Sequence, residues 1–257
     1  MRGKLIFILS LCCFLLCSCG KSEAVRAAED AITAIGDVTS DSGNAIANAE
    51  KLYGILTDSE KSEVDNRLTL VEARESYDDL QAEAIYDNAK EAYDKLNEIA
   101  NICIDGMDDI YGGWYFGIYE ASDSYATSIF SDLAAETPHL TSQELEDAAD
   151  AFGFSGSALK SDWQNILYIV EYAIAKNGDY DTVKDELEEA SAILQELTTT
   201  YDDYTYYPKL KDYYSAVSSY ADFFLAPTGS FKQLSDTINQ YETNIRTYQS
   251  DVGFLFH

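Results

Sequence analysis

The chain has 257 residues, 46% of them hydrophobic, and carries 17 Lys+Arg against 46 Asp+Glu, a formal charge of −29. A surface of that sign repels nucleic acid, which needs a basic footprint, and repels anionic lipid headgroups. It suits solubility, cationic partners or divalent ions. The apolar fraction is too high for a disordered chain, and the length allows a core without disulfide staples.

The first element is a leader. Arg2 and Lys4 precede an apolar or small run from Leu5 to Leu16, followed by Cys17-Ser18-Cys19. A positive flank, a short apolar segment and a small residue at the cut are the plan of a secretory signal peptide. The apolar run is too short to cross a bilayer, which takes about 20 such residues. Of Cys12, Cys13, Cys17 and Cys19, only Cys19 directly follows a small residue, Ser18.

The run Leu16-Cys17-Ser18-Cys19 resembles the lipobox of bacterial lipoproteins. That resemblance implies a signal peptide over 1–18 and a mature chain that starts at a lipidated Cys19. The partner implied is the membrane, reached through the lipid on Cys19, and the location is extracytoplasmic, anchored to the bacterial cell membrane. A lipobox cysteine carries a diacylglyceryl group and often a further acyl chain, and more than one chain is what stable anchoring requires.

Residues 19–82 form the next unit. Ile35-Gly36-Asp37-Val38-Thr39 is followed by Ala49-Glu50, Tyr53 and Leu56, then Lys61, Val64 and Asn66, then Ala73, Tyr77 and Leu80. This order resembles a short helical module recurrent in exported proteins of Gram-positive bacteria. The resemblance implies a few small packed helices acting as a spacer or interaction unit, with no activity. The residues themselves predict that Gly36 ends one helix, that Thr39 or Ser40 caps the next, and that Thr57 caps a third. Thr57 and Glu60 have the spacing of a capping box. Asn66 is the expected break before a long fourth helix.

The remainder, 83–257, reads as a helical bundle. Apolar residues at three-and-four spacing continue through Leu96, Ile99 and Cys103 to Met107, Ile110 and Trp114, one face of a helix. A single helix from 67 to 135 would run about 100 Å, so either the molecule is elongated or the helix breaks, at Gly106 or at Gly112-Gly113, where glycine weakens a helix by about 1 kcal/mol. Later stripes run Leu159 to Ala173, Val183 to Leu197, Leu210 to Phe224 and Phe231 to Val252. Thr141 and Glu144 repeat the capping-box spacing. Asn177-Gly178 reads as a helix end with Asp181 capping the next helix. Pro138, Pro208 and Pro227 are expected to fall between helices. The fold class expected is all-α, a multi-helix bundle or elongated array in two helical sub-domains, with no significant sheet.

Chemistry is sparse. The two histidines, His139 and His257, give no clustered zinc site. Gly153-Phe154-Ser155-Gly156-Ser157 lacks the final glycine and preceding strand of a nucleophile elbow, and reads instead as a helix start capped by Ser155 or Ser157. Asn177, Asp179, Asp181, Asp185 and Glu188 have calcium-loop spacing, but Thr182 stands where the loop needs glycine. An acidic helix start accounts for the same residues. Cys103 lies on the apolar stripe, as a buried small hydrophobe.

No catalytic constellation, cofactor or metal ligand is nominated. Seven tyrosines lie between 201 and 220. Residues 201–207, ahead of Pro208, read as a loop, and Tyr204, Tyr206 and Tyr207 in it are the expected ligand contacts, since tyrosine gives large contact area with a polar tip. Gly112 to Gly117, with Trp114, Tyr115 and Phe116, reads as a kink or a ligand contact. The reading is a non-catalytic binding or scaffold module at the cell surface, with an envelope glycan or surface protein as partner and no nucleic acid. An envelope glycan or peptidoglycan enzyme using paired carboxylates and a solute-binding lipoprotein stand as alternatives.

Overall fold

The computed structural model describes residues 20–200 and 207–256. Over these the chain is all-α, with eleven helices and no strand among the described residues. They are α1 (Glu23–Thr33), α2 (Gly43–Gly54), α3 (Asp58–Lys61), α4 (Arg67–Tyr119), α5 (Ile129–Glu136), α6 (Ser142–Phe152), α7 (Gly156–Ser161), α8 (Trp163–Asn177), α9 (Asp179–Thr200), α10 (Tyr207–Leu225) and α11 (Phe231–Gly253). The chain divides into two compact units between Ala84 and Ile85, inside α4.

The first unit packs α1 to α3 and the start of α4 around Val25, Ala28, Ile32, Ile46, Ala49, Leu70 and Ala73. Thr57 and Glu60 close their capping box around α3. Asn66 sits one residue before α4 and does more than break the chain. Its side-chain amide donates to the Glu29 carbonyl at 3.0 Å, tying the start of α4 to α1. Arg74 forks onto Glu50 through Nε at 2.8 Å and Nη2 at 2.6 Å, the bidentate geometry that suits a guanidinium. One expectation fails here. The N-cap of α2 is Ser42, not Thr39 or Ser40, and the Ser42 hydroxyl accepts from the Thr39 N–H at 2.9 Å instead of capping the helix.

The second unit is built on the rest of α4, whose Leu96, Ile99, Cys103, Met107, Ile110 and Phe116 are core residues. The helix does not break at Gly106 or Gly112-Gly113; it runs through to Tyr119. The glycines serve contact. A Cβ on Gly112 would lie 2.7 Å from the Glu136 carbonyl carbon and closer still to its oxygen. One on Gly113 would lie 2.9 Å from Val170 Cγ2, and one on Gly106 would lie 2.7 Å from Phe224 Cζ. Close approach by α5, α8 and α10 outweighs the propensity cost of each glycine.

Local signals place most of the other ends. Thr141 and Glu144 form the expected box, and Ser230 with Gln233 forms another. Ser155 caps α7, accepting from the Ala158 N–H at 3.3 Å. Gly153 and Gly178 adopt φ of +69° and +90° at the ends of α6 and α8, the left-handed C-terminal position that favours glycine. Asp181 lies inside the first turn of α9, which begins at Asp179, so it does not cap. The acids of the calcium-like spacing are thus a helix start, and no metal-binding group of three or more His, Cys, Asp or Glu occurs among the described residues.

Candidate functional site

Of the residues picked from sequence as contacts, Cys19, Tyr204 and Tyr206 lie outside the described residues. Tyr207 is not a loop residue. It opens α10, packed against the core of the second unit, with Pro208 behind it in the first helical turn, where a missing N–H costs nothing. Tyr213 and Tyr220 are fully buried, and the Tyr213 hydroxyl donates to Asn97 Oδ1 at 2.7 Å. The tyrosine-rich segment therefore fills the bundle from Tyr207 onward. Cys103 is also fully buried, and burial pushes its thiol up to about 12.

One aromatic surface lies at the C-terminal end of α4. Tyr111, Trp114, Tyr115 and Tyr119 share one helical face by three-and-four spacing. All four surround Phe231, the first residue of α11. Tyr111 stacks on it at 4.9 Å and Tyr119 meets it edge-on at 5.9 Å. Trp114 touches it at 6.3 Å and reaches Trp163 at 6.1 Å. Tyr119 also packs on Tyr115 at 5.3 Å, yet remains 57% exposed.

Beyond Tyr119 the chain leaves the helix and turns towards α5. This turn and α5 form a groove of about 590 Å³, lined by Tyr119, Glu120, Asp123, Tyr125, Asp132 and Glu136 among others. The turn is held from behind. Ala121 is buried, its N–H bonding the Phe116 carbonyl at 2.8 Å. The Lys160 ammonium donates to the Ser124 carbonyl. Gly156 meets the Ala126 backbone so closely that a Cβ there would lie 3.2 Å from the carbonyl carbon. Tyr125 is left 80% exposed at the front. Ser128 donates to Asp132 Oδ2 at 2.9 Å, orienting that carboxylate in the first turn of α5. Asp132 and Glu136 follow at four-residue spacing and share a face. On the opposite wall the Glu120 carboxylate raises the Tyr115 phenol, with burial and Glu136 acting the same way.

A second exposed aromatic patch lies on α6 and α8, where Phe152, Tyr168 and Tyr172 are 46%, 54% and 36% exposed. A cavity of about 280 Å³ is lined by Glu144, Asp147, Tyr172, Lys176 and Asn177, beside this patch, in which Phe152 stacks on Phe154 at 5.5 Å. Glu144 is held by its capping box and by Asn177, and Asp147 accepts from Gln143 at 2.8 Å. Asp109 is 2% exposed and accepts from the His139 N–H at 3.0 Å. Burial lifts its carboxyl to about 6, and His139 works against that rise. It fastens the turn between α5 and α6 to α4.

In the sequence the tyrosine-rich run between 201 and 220 is the stronger compositional signal, and the groove the weaker one. The signal was present: after Ile118 the helical stripe lapses until Ile129, and within that gap tyrosine and acids concentrate. No family model matches the chain, and no curated protein or solved structure compared with it does.

Proposed function

We propose that this chain is a lipid-anchored, extracytoplasmic helical protein that binds a partner non-catalytically at the bacterial cell surface. Cys19 carries the lipid, the first helical unit follows the anchor as a spacer, and the groove beside Tyr119 and Tyr125 is the contact surface. The observation that supports the reading is the pair of tyrosines, 57% and 80% exposed, over a groove of about 590 Å³ whose rear is pinned by backbone contacts. Exposed tyrosine suits a contact surface, since it offers large area with a polar tip, and the groove is shallow and open. Among the described residues no helix is long and apolar enough to cross a membrane.

Two experiments test the two halves. Fatty-acid labelling of cells expressing wild type and Cys19→Ala should label only the wild type; a label that survives the substitution refutes the anchor. Glycan and peptide arrays probed with the purified chain should give binders that a Tyr119→Ser/Tyr125→Ser variant loses. Binders indifferent to that variant would place the contact surface elsewhere.

A further inference from the structure

The groove constrains the chemistry of its occupant. On the reading that this groove is the contact surface, we infer that it takes a lysine- or arginine-bearing stretch of polypeptide. Four carboxylates line it, Glu120, Asp123, Asp132 and Glu136. None takes part in an ion pair among the described residues. Lys160, which reaches the same turn, gives its ammonium to the neutral Ser124 carbonyl and leaves the acids uncompensated. Like charges gathered in a concave surface focus their field outward and raise the local concentration of cations.

Hydrogen-bond capacity selects further. Ionised carboxylates only accept. The donors in the lining are the hydroxyls of Ser124, Ser128, Tyr119 and Tyr125, and Ser128 already gives its proton to Asp132. A sugar offers more acceptor sites than donors, each hydroxyl giving one proton and two lone pairs, and this wall has few donors to serve them. An ammonium has three donors and a guanidinium five, with no acceptor on either. The exposed tyrosine faces supply cation–π contact for the same groups. The carboxylates also do not converge, since no metal-binding group of three or more His, Cys, Asp or Glu exists among the described residues. Spaced acids suit several spaced cations along one peptide.

The test is fluorescence anisotropy with the full chain in detergent, at low salt and again at about 1 M, where the Debye length falls to about 3 Å. The probes are a labelled peptide of alternating lysine and glycine, its glutamate counterpart, and an N-acetylglucosamine tetramer. The lysine peptide should bind, lose affinity with salt, and be weakened about tenfold by Glu120→Gln/Asp123→Asn/Asp132→Asn/Glu136→Gln, each exposed charge contributing a small share. Tyr119→Ser/Tyr125→Ser should weaken it about threefold.

A control, Glu63→Gln/Glu72→Gln/Glu75→Gln/Asp79→Asn, removes as many exposed acids from the first unit and should leave binding within about twofold, the median exposed pair being worth little. Equal loss in both quadruple variants would overturn the inference in favour of net charge alone. Binding of the sugar tetramer instead, abolished by the tyrosine variant, would overturn the cationic occupant and keep the groove. Binding of lysine peptide or sugar unaffected by either groove variant, or no binding of any probe, would overturn both.

Discussion

Substituting Gly112 by alanine separates close packing from helix propensity. In an exposed helix the change would stabilise by about 1 kcal/mol. Here the new methyl would meet backbone, lying 2.7 Å from the Glu136 carbonyl carbon, nearer still to its oxygen, and 3.5 Å from the Thr137 N. Backbone at the end of α5 cannot rotate aside as a side chain can. Thr137 is fully buried, its N–H held by the Leu133 carbonyl at 3.0 Å. Overpacking of this kind costs about 1–3 kcal/mol or more, so the propensity gain is outweighed and a net loss of about 2 kcal/mol is expected. At about 2–4 °C per kcal/mol for a domain of this size, the melting midpoint of the second unit, followed by circular dichroism, should fall by about 4–8 °C. Gly113→Ala, facing the Val170 side chain at 2.9 Å, should lose less. Gly54→Ala, with nothing within 4 Å, should leave stability unchanged or raise it. A Gly112→Ala protein as stable as wild type would refute the close approach of α4 and α5, and would restore the alternative of a helix broken there.

Asp109→Asn should reverse a pH dependence. The folded carboxyl titrates near 6 against an ordinary 3.8, so the native state binds the proton more tightly. Its contribution is present below about pH 4 and lost as pH rises through about 6, a difference on the order of 3 kcal/mol. Urea unfolding at pH 4 and pH 7 should show the asparagine variant gaining on wild type by that amount at the higher pH; parallel curves would contradict the buried carboxylate. Arg74→Ala should destabilise the first unit by about 1 kcal/mol, because Glu50 is 39% exposed and solvent screens the pair. A loss above about 3 kcal/mol would mean the pair is far drier than its exposure indicates. Thr141→Ala removes the hydroxyl half of the α6 capping box and should cost about 1 kcal/mol in the same assay; no change would show that the Glu144 carboxylate alone suffices.

Local chemistry made much of the fold legible. The boxes at Thr57 and Thr141, the caps at Ser155 and Gly178, and the stripes through α8 to α11 are set by neighbours a few residues away. The glycines of α4 left a continuous and a broken helix both open for the opposite reason. Their contacts, Phe224, Glu136 and Val170, are distant in sequence, so intrinsic propensity was the only term visible and it pointed to a break. Ser42 displaced Thr39 and Ser40 because its hydroxyl accepts from the Thr39 N–H across the turn, which propensity alone does not order. The tyrosines divide on the same line. Tyr213 and Tyr220 look alike on paper to Tyr119 and Tyr125, and only long-range packing separates the buried pair from the exposed one.

The groove itself is framed by backbone contacts at three glycines. Gly112 seats the end of α5, where Glu136 stands. Gly117 admits Trp163, a Cβ there lying 3.2 Å from that of the tryptophan, and Gly156 admits the Ala126 carbonyl. Backbone contacts thus set the turn behind Tyr125, while Tyr119 packs on Tyr115 and Phe231. Gly156→Ala tests this logic without any ligand. The methyl would press on the carbonyl of Ala126 at the rear of the turn that carries Ser124 and Tyr125. Amide hydrogen exchange of residues 121–128 should quicken about tenfold, the factor that corresponds to about 1.4 kcal/mol of easier opening, while exchange in α9 stays unchanged. If the turn exchanges at the wild-type rate, it is not held by that contact, and the pose of Tyr125 must be set by something other than the backbone behind it.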